Sequence, residues 1–188
     1  MEFIYLLVAA TFSDNFVLSK LLGVYPAINA QDKKAPIVRE GILVTIALTI
    51  ISVLNYILYT WVLEPLNVSY LATIIFSLIL FLVVQLTVSI SKKVGKYNNE
   101  DISVGQIVTN SIILAAVLLS IEQDHIMHSV AYAIGAGLGY TLISILLYDV
   151  MDRLDDMAIV SAFKGIPIRL IALGLMAYAF SGFSGIMP

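Results

Sequence analysis

The sequence predicts an all-α integral membrane protein: one domain over residues 1–188 with six transmembrane helices, the first and fourth interrupted. The two halves, 1–93 and 94–188, are expected to form inverted three-helix repeats. Three observations lead there. The composition is 60% hydrophobic and only 12% charged, whereas soluble domains carry about 25% charged residues. Apolar windows of about 20 residues, enough to cross a hydrocarbon core of roughly 30 Å, recur at Phe3–Val24, Gly41–Leu63, Tyr70–Ile90, Ile102–Ile121, Ser129–Tyr148 and Ile166–Ile186. Two of these windows, the first and the fourth, carry strongly polar residues inside the run.

The first window opens on Met1–Ala10, whose one charge is Glu2. A cleaved signal peptide needs a basic start and a small-residue cleavage site, so this stretch is expected to remain as a span. Its second half, TFSDNFVLSKLLGVYP, holds Asp14, Asn15 and Lys20. A charge at the bilayer centre costs roughly 2.5–3.5 kcal/mol on insertion scales and persists where protein, water or a partner faces it. The residues therefore read either as an ion or proton relay at a helix break, or as Lys20 snorkelling to the interface while Asp14 pairs with a neighbouring helix. Asp14 and Lys20 are six residues apart, about 120° around a regular helix, so they do not pair with each other along it.

The second window closes with Tyr56, Tyr59 and Trp61, and Tyr70 opens the third. Aromatic rings favour the membrane–water boundary, which places these four in one belt, with Pro65 in a tight loop between them. In the fourth window, SVGQIVTNS brings Gln106, Thr109, Asn110 and Ser111 ahead of an apolar run. They suit a broken helix, whose freed backbone groups their side chains can satisfy, or ordinary hydrogen bonding between helices, worth about 0.6 kcal/mol each. The fifth window reads AYAIGAGLGY, with Ala131, Gly135 and Gly139 at four-residue intervals. No Lys-Ser or Lys-Thr follows and no strand precedes, so a phosphate loop is excluded and close helix packing is expected. Gly174 and Gly182 in the last window are expected to pack in the same way. Between these windows, Val150, Leu154, Met157 and Val160 recur at helical spacing opposite Asp152, Asp155 and Asp156, as in a surface helix or an acidic loop.

Basic residues decide orientation. Lys33, Lys34 and Arg39, Lys92, Lys93 and Lys96, and Arg153, Lys164 and Arg169 all fall at one face of a six-span chain, leaving only Lys20 inside. That face is expected to be cytoplasmic, with both termini outside, in a bacterial or archaeal plasma membrane. No basic stripe suggests nucleic acid. With no cysteine, the chain offers no disulfide, thiolate-held metal or cysteine nucleophile. Glu122, Asp124, His125 and His128 cluster in one loop, as chance allows in exposed loops and as metal sites require. No nucleophile–base–acid arrangement is present, so a complete active site in this chain is not expected.

Two offsets relate the halves: 95 aligns Asn15 with Asn110, and 86 aligns Tyr25 with Ser111. Neither gives convincing identity, so the repeat rests on the span count and on the polar pattern.

The stretches DNFVLSKLLGVYP, TNSIILA, YAIGAGLGY and FKGIPIRLIALGLMAYAFSGFSGI stand in an order and spacing that resembles the membrane subunits of Rnf and Nqr complexes. The similarity is greatest to the A subunit of Rnf and next to the E subunit of Nqr, over nearly the whole chain. It implies six helices, external termini, a homologous six-helix partner and further Rnf/Nqr-like subunits in a complex that couples electron flow to Na⁺ or H⁺ movement. It also implies a two-iron, two-sulfur cluster shared with the partner. The cysteines that would hold it fall at Tyr25 and Ser111 here, and such clusters need thiolates. The sequence therefore predicts an electron-transport subunit without Fe–S ligands or a cofactor of its own, its polar site drawn from Asp14, Asn15, Lys20, Thr109 and Asn110. The alternatives are a secondary transporter or substrate-binding component on the same scaffold, and a purely structural subunit.

Overall fold

A computed structural model describes residues 2–24, 34–93, 107, 110–120, 125–155, 157 and 159–183. Among them every regular element is helical. The α-helices are α1 (Glu2–Thr11), α2 (Phe16–Ser19), α3 (Lys34–Leu58), α4 (Ala72–Lys93), α5 (Ser111–Ser120), α6 (Ile126–Asp155) and α7 (Ile166–Phe180). Four stretches are long and apolar enough to cross a membrane: Pro36–Leu63, Ser69–Ile90, Ile126–Leu154 and Ile166–Phe183. The expected first and fourth spans are of another kind. The first is two short helices, α1 and α2, separated by a turn at Phe12–Asp14; of the fourth, the described residues form α5, entered from a non-helical Asn110.

Local chemistry explains the boundaries. Pro36 and Pro167 sit in the first turns of α3 and α7, where a missing N–H removes no helical bond. A π-turn at Tyr59–Leu63 ends α3, and the chain reverses through Pro65 and Asn67, the latter at φ 55°; asparagine tolerates that left-handed region better than most residues. α6 runs on to Asp155 because Tyr140–Asp155 contains neither Gly nor Pro. This corrects the expectation of a separate surface helix. Val150 and Leu154 belong to α6, while Met157 and Val160 follow it as exposed, non-helical residues.

α6 is the post around which the rest is built. α1 lies parallel to it: Glu2 Oε2 is 3.3 Å from His128 Nε2 at their N-terminal ends, and a side chain at Gly135 would begin 2.6 Å from the Leu7 carbonyl oxygen. α3 lies antiparallel on another face, with Gly41 against Thr141 and Gly137 against Thr45. Between these helices sits a dry core containing Phe16, Leu48, Ile51, Ile112, Ile143 and Leu147. α4 and α7 are peripheral. Leu78, Leu82 and Leu86 on α4 and Leu175 and Tyr178 on α7 are exposed on the surface of the chain.

Candidate functional site

Asn15 makes the first break possible. Its backbone leaves the helical region (φ −58°, ψ 115°), and its Oδ1 accepts hydrogen bonds from the N–H groups of Val17 at 3.0 Å and Leu18 at 3.4 Å. Its Nδ2 donates to the Thr11 carbonyl at 2.8 Å. One buried amide thus satisfies the donors that open α2 and a carbonyl that ends α1, which water would otherwise have to satisfy. The Thr11 hydroxyl lies 2.7 Å from the Leu7 carbonyl and 3.2 Å from that of Gly135, tying the break to α6.

After α2 the chain unwinds: Leu21 has φ 53° and Gly23 φ 71°. Non-glycine residues seldom take that conformation, and such departures concentrate where a fold holds a functional shape. The Gly23 N–H donates to Ser111 Oγ at 3.0 Å, and a Cβ on Gly23 would lie 2.9 Å from Asn110 Oδ1. The two interrupted segments therefore meet directly. Asn110, 1% exposed, caps α5 through Oδ1, which accepts from Ile112 N at 3.2 Å, while its Nδ2 approaches the Tyr140 hydroxyl without full hydrogen-bond geometry to any described residue.

Near the midpoint of α6, two consecutive residues receive the two breaks. Gly139 faces Asn15, whose Nδ2 would stand 2.7 Å from a Cβ there. Tyr140 packs against the Gly23 turn and donates its hydroxyl to Glu40 Oε1 of α3 at 3.0 Å. Ser144, one turn further along α6, is buried beside the Tyr140 hydroxyl, and its Oγ reaches full hydrogen-bond geometry to no described residue.

The structure thus brings Asn15, Asn110 and Ser111 together around α6. Asp14 is exposed in the turn between α1 and α2. Lys20 is exposed too, its Nζ 5.0 Å from the centre of the Phe16 ring. Tyr25 and Thr109 lie outside the described residues, as do Glu122 and Asp124. Ala131 is fully buried, and Gly135 and Gly139 lie against α1 and the first break. Gly174 and Gly182 differ: a Cβ on either would meet no described atom within 4 Å, so among the described residues neither packs against another segment. Beside the first break, Phe12, Ser13, Asn15, Ser19, Phe180 and Ser181 line a cavity of about 100 Å³ toward α7.

Glu40, Tyr140 and Ser144 escaped the sequence reading. Tyr140 closes the glycine-rich motif, but its partner lies 100 residues away, and Glu40 reads as the polar flank of a span. An acidic residue inside the start of an apolar helix was the one available signal.

As for chemistry, the chain supplies a carboxylate, a phenol, amides and hydroxyls. Among the described residues no group of three or more His, Cys, Asp or Glu could hold a metal. The Ser111 hydroxyl accepts a backbone hydrogen bond, and the chain has no cysteine. This donor set does not fit a thiolate-held Fe–S cluster.

Comparison with known proteins agrees with this architecture. The family described as "Rnf-Nqr subunit, membrane protein" matches residues 3–187. The chain belongs to the Rnf-Nqr subunit family. Its relatives include the A subunit of the Na(+)-translocating ferredoxin:NAD(+) oxidoreductase complex of Acetobacterium woodii, 35% identical over 188 residues, 98% of each chain. The A subunit of the ion-translocating oxidoreductase complex of Vibrio vulnificus (strain YJ016) is 35% identical over 189 residues, covering 99% of this chain and 98% of the relative. Its counterpart in Aeromonas hydrophila subsp. hydrophila is 34% identical over 189 residues, with the same coverage.

Proposed function

We propose that this chain is a membrane subunit of an Rnf-type ion-translocating oxidoreductase complex, without Fe–S ligands of its own. It works beside a homologous six-helix partner and further Rnf/Nqr-like subunits. The observation that carries this reading is the end-to-end match, 98% of both chains, to the A subunit of such a complex. The paired breaks support it: residues from α1–α2 and from the entry to α5 meet on one face of α6, the arrangement that inverted repeats produce when interrupted helices converge on a shared site.

On this reading α1 and α2 together form the first span and α5 is part of the fourth, giving six. The basic loops face the cytoplasm, both termini lie outside, and the membrane is the bacterial plasma membrane. Electrons pass through the complex without a cluster ligated by this chain, whose part is to hold the interrupted helices and their polar groups in the path of the ion.

The test is recovery of the tagged, full-length chain from its native membranes under mild detergent. Co-purification with homologous membrane subunits and flavin- or Fe–S-containing subunits is the expected result. A chain that purifies alone, with no redox partner, overturns the proposal in favour of a transporter or substrate-binding component on the same scaffold.

A further inference from the structure

We propose that Glu40 is a proton-exchanging carboxylate inside this protein, anchored by Tyr140 and joined through an internal water to Ser144 and Asn110. Glu40 stands six residues into α3, roughly 9 Å along the axis from Lys34 at 1.5 Å per residue. It is half-buried, within a stretch long and apolar enough to cross a membrane. An ionisable group at such a place is retained for function more often than for stability, because hydrophobic residues pack there at lower cost.

The surroundings select the ligand. Tyr140, 2% exposed, donates to Glu40 Oε1 at 3.0 Å and fixes one carboxylate oxygen. Ser144 and Asn110 approach the Tyr140 hydroxyl as side-chain hydrogen-bond donors, but neither Ser144 Oγ nor Asn110 Nδ2 reaches full hydrogen-bond geometry to any described residue. Buried polar atoms are almost always paired, with ordered water where protein does not serve. The orientation of Asn110 is set by its Oδ1, which caps Ile112 N, so the unpaired atom is a donor. A metal cation placed there would face an N–H dipole of the wrong sign. A water molecule accepts from that N–H and donates onward to the carboxylate or to Ser144 Oγ, a relay for a proton. Glu40 takes the proton to become a neutral acid and returns it to become a carboxylate, and no other bond changes.

The titratable group facing Glu40 from α6 is Tyr140, and on α3 itself Arg39 precedes it. α4, which also packs against α3, ends in an exposed Lys93, and Lys20 after α2 is exposed as well, whereas α2, α5 and residues 21–24 contain no titratable side chain. The role of this exchange in ion movement rests on the function proposed above, whereas the exchange itself does not.

Two measurements separate these levels. The first is infrared difference spectroscopy of the full-length chain, in its native assembly or purified alone, titrated with acid. It should show a carboxylic-acid carbonyl band that is lost in Glu40→Gln and shifted in Tyr140→Phe. Glu40→Gln keeps an oxygen for Tyr140, so the fold is retained. An unchanged band in Glu40→Gln, or a Glu40 signal that responds to Na⁺ and not to acid, overturns the proposal. The second is turnover of the assembled complex in sealed vesicles. Glu40→Gln should leave assembly intact, lower ion-coupled turnover at least tenfold and abolish its pH dependence. Parental turnover with parental pH dependence in the assembled variant overturns it as well. Loss of co-purifying subunits from the parent chain instead overturns the complex reading alone.

Discussion

Asn15 and Asn110 do the same work on opposite halves of the chain, and they do not end in the same state. Both are 1% exposed and both open a helix segment through Oδ1. Asn15 also commits its Nδ2 to the Thr11 carbonyl, so every hydrogen-bonding atom of its side chain is engaged. Asn110 leaves its Nδ2 short of full hydrogen-bond geometry, aimed at the Tyr140 hydroxyl. The first break is thereby closed as structure, and the second holds a polar group in reserve. Similar breaks serve different ends according to what α6 offers them: a glycine with no side chain at position 139, a hydrogen-bonding phenol at position 140.

The largest effect that would test this contrast falls on the backbone contact beneath the first break. Gly135→Val places carbon where the Leu7 carbonyl and the Ala10 methyl already lie, 2.6 and 2.8 Å from the first added atom. Overpacking of that kind costs about 3 kcal/mol, and thermal unfolding in detergent should show a large drop or no folded chain. Gly23→Ala combines a left-handed backbone with a 2.9 Å approach to Asn110 Oδ1. The expected loss is about 2 kcal/mol, read by the same assay, and normal stability would mean that the two breaks do not meet as described. Asn15→Ala should cost about 1–2 kcal/mol, because two capped N–H groups and one carbonyl lose partners. Asn110→Ala should cost less, about 1 kcal/mol, since it also removes a poorly satisfied buried donor; equal losses would erase the distinction between the two caps. Gly174→Ala should change the stability of the isolated chain by no more than about 0.5 kcal/mol, there being no described atom within 4 Å to disturb. A marked loss confined to the assembled complex would show that this face of α7 meets a neighbouring protein.

Much of the fold is legible in the sequence because lipid imposes few solutions. A chain that is 60% hydrophobic with polar residues clustered at Asp14–Asn15 and Thr109–Ser111 must form helices and interrupt two of them, since each freed backbone group needs a nearby partner. The four-residue spacing of Ala131, Gly135 and Gly139 likewise marks a smooth helix face. Asp14 was less legible. It is charged and sits in the right stretch, yet the turn that breaks α1 points it outward while the neutral Asn15 takes the interior. Gly174 and Gly182 share the spacing of a packing face and face no other segment among the described residues, because spacing describes a helix surface and not what lies opposite.

By itself the sequence determined the class of the molecule, the places where its helices give way and the absence of thiolate ligands, each of which follows from residue chemistry and local period. Only the tertiary structure decided that α6 receives both breaks on adjacent residues and that Glu40 meets Tyr140 across 100 positions of chain. A hydrogen bond between distant segments leaves no periodic trace, because it is set by how helices cross and not by how any one of them is written.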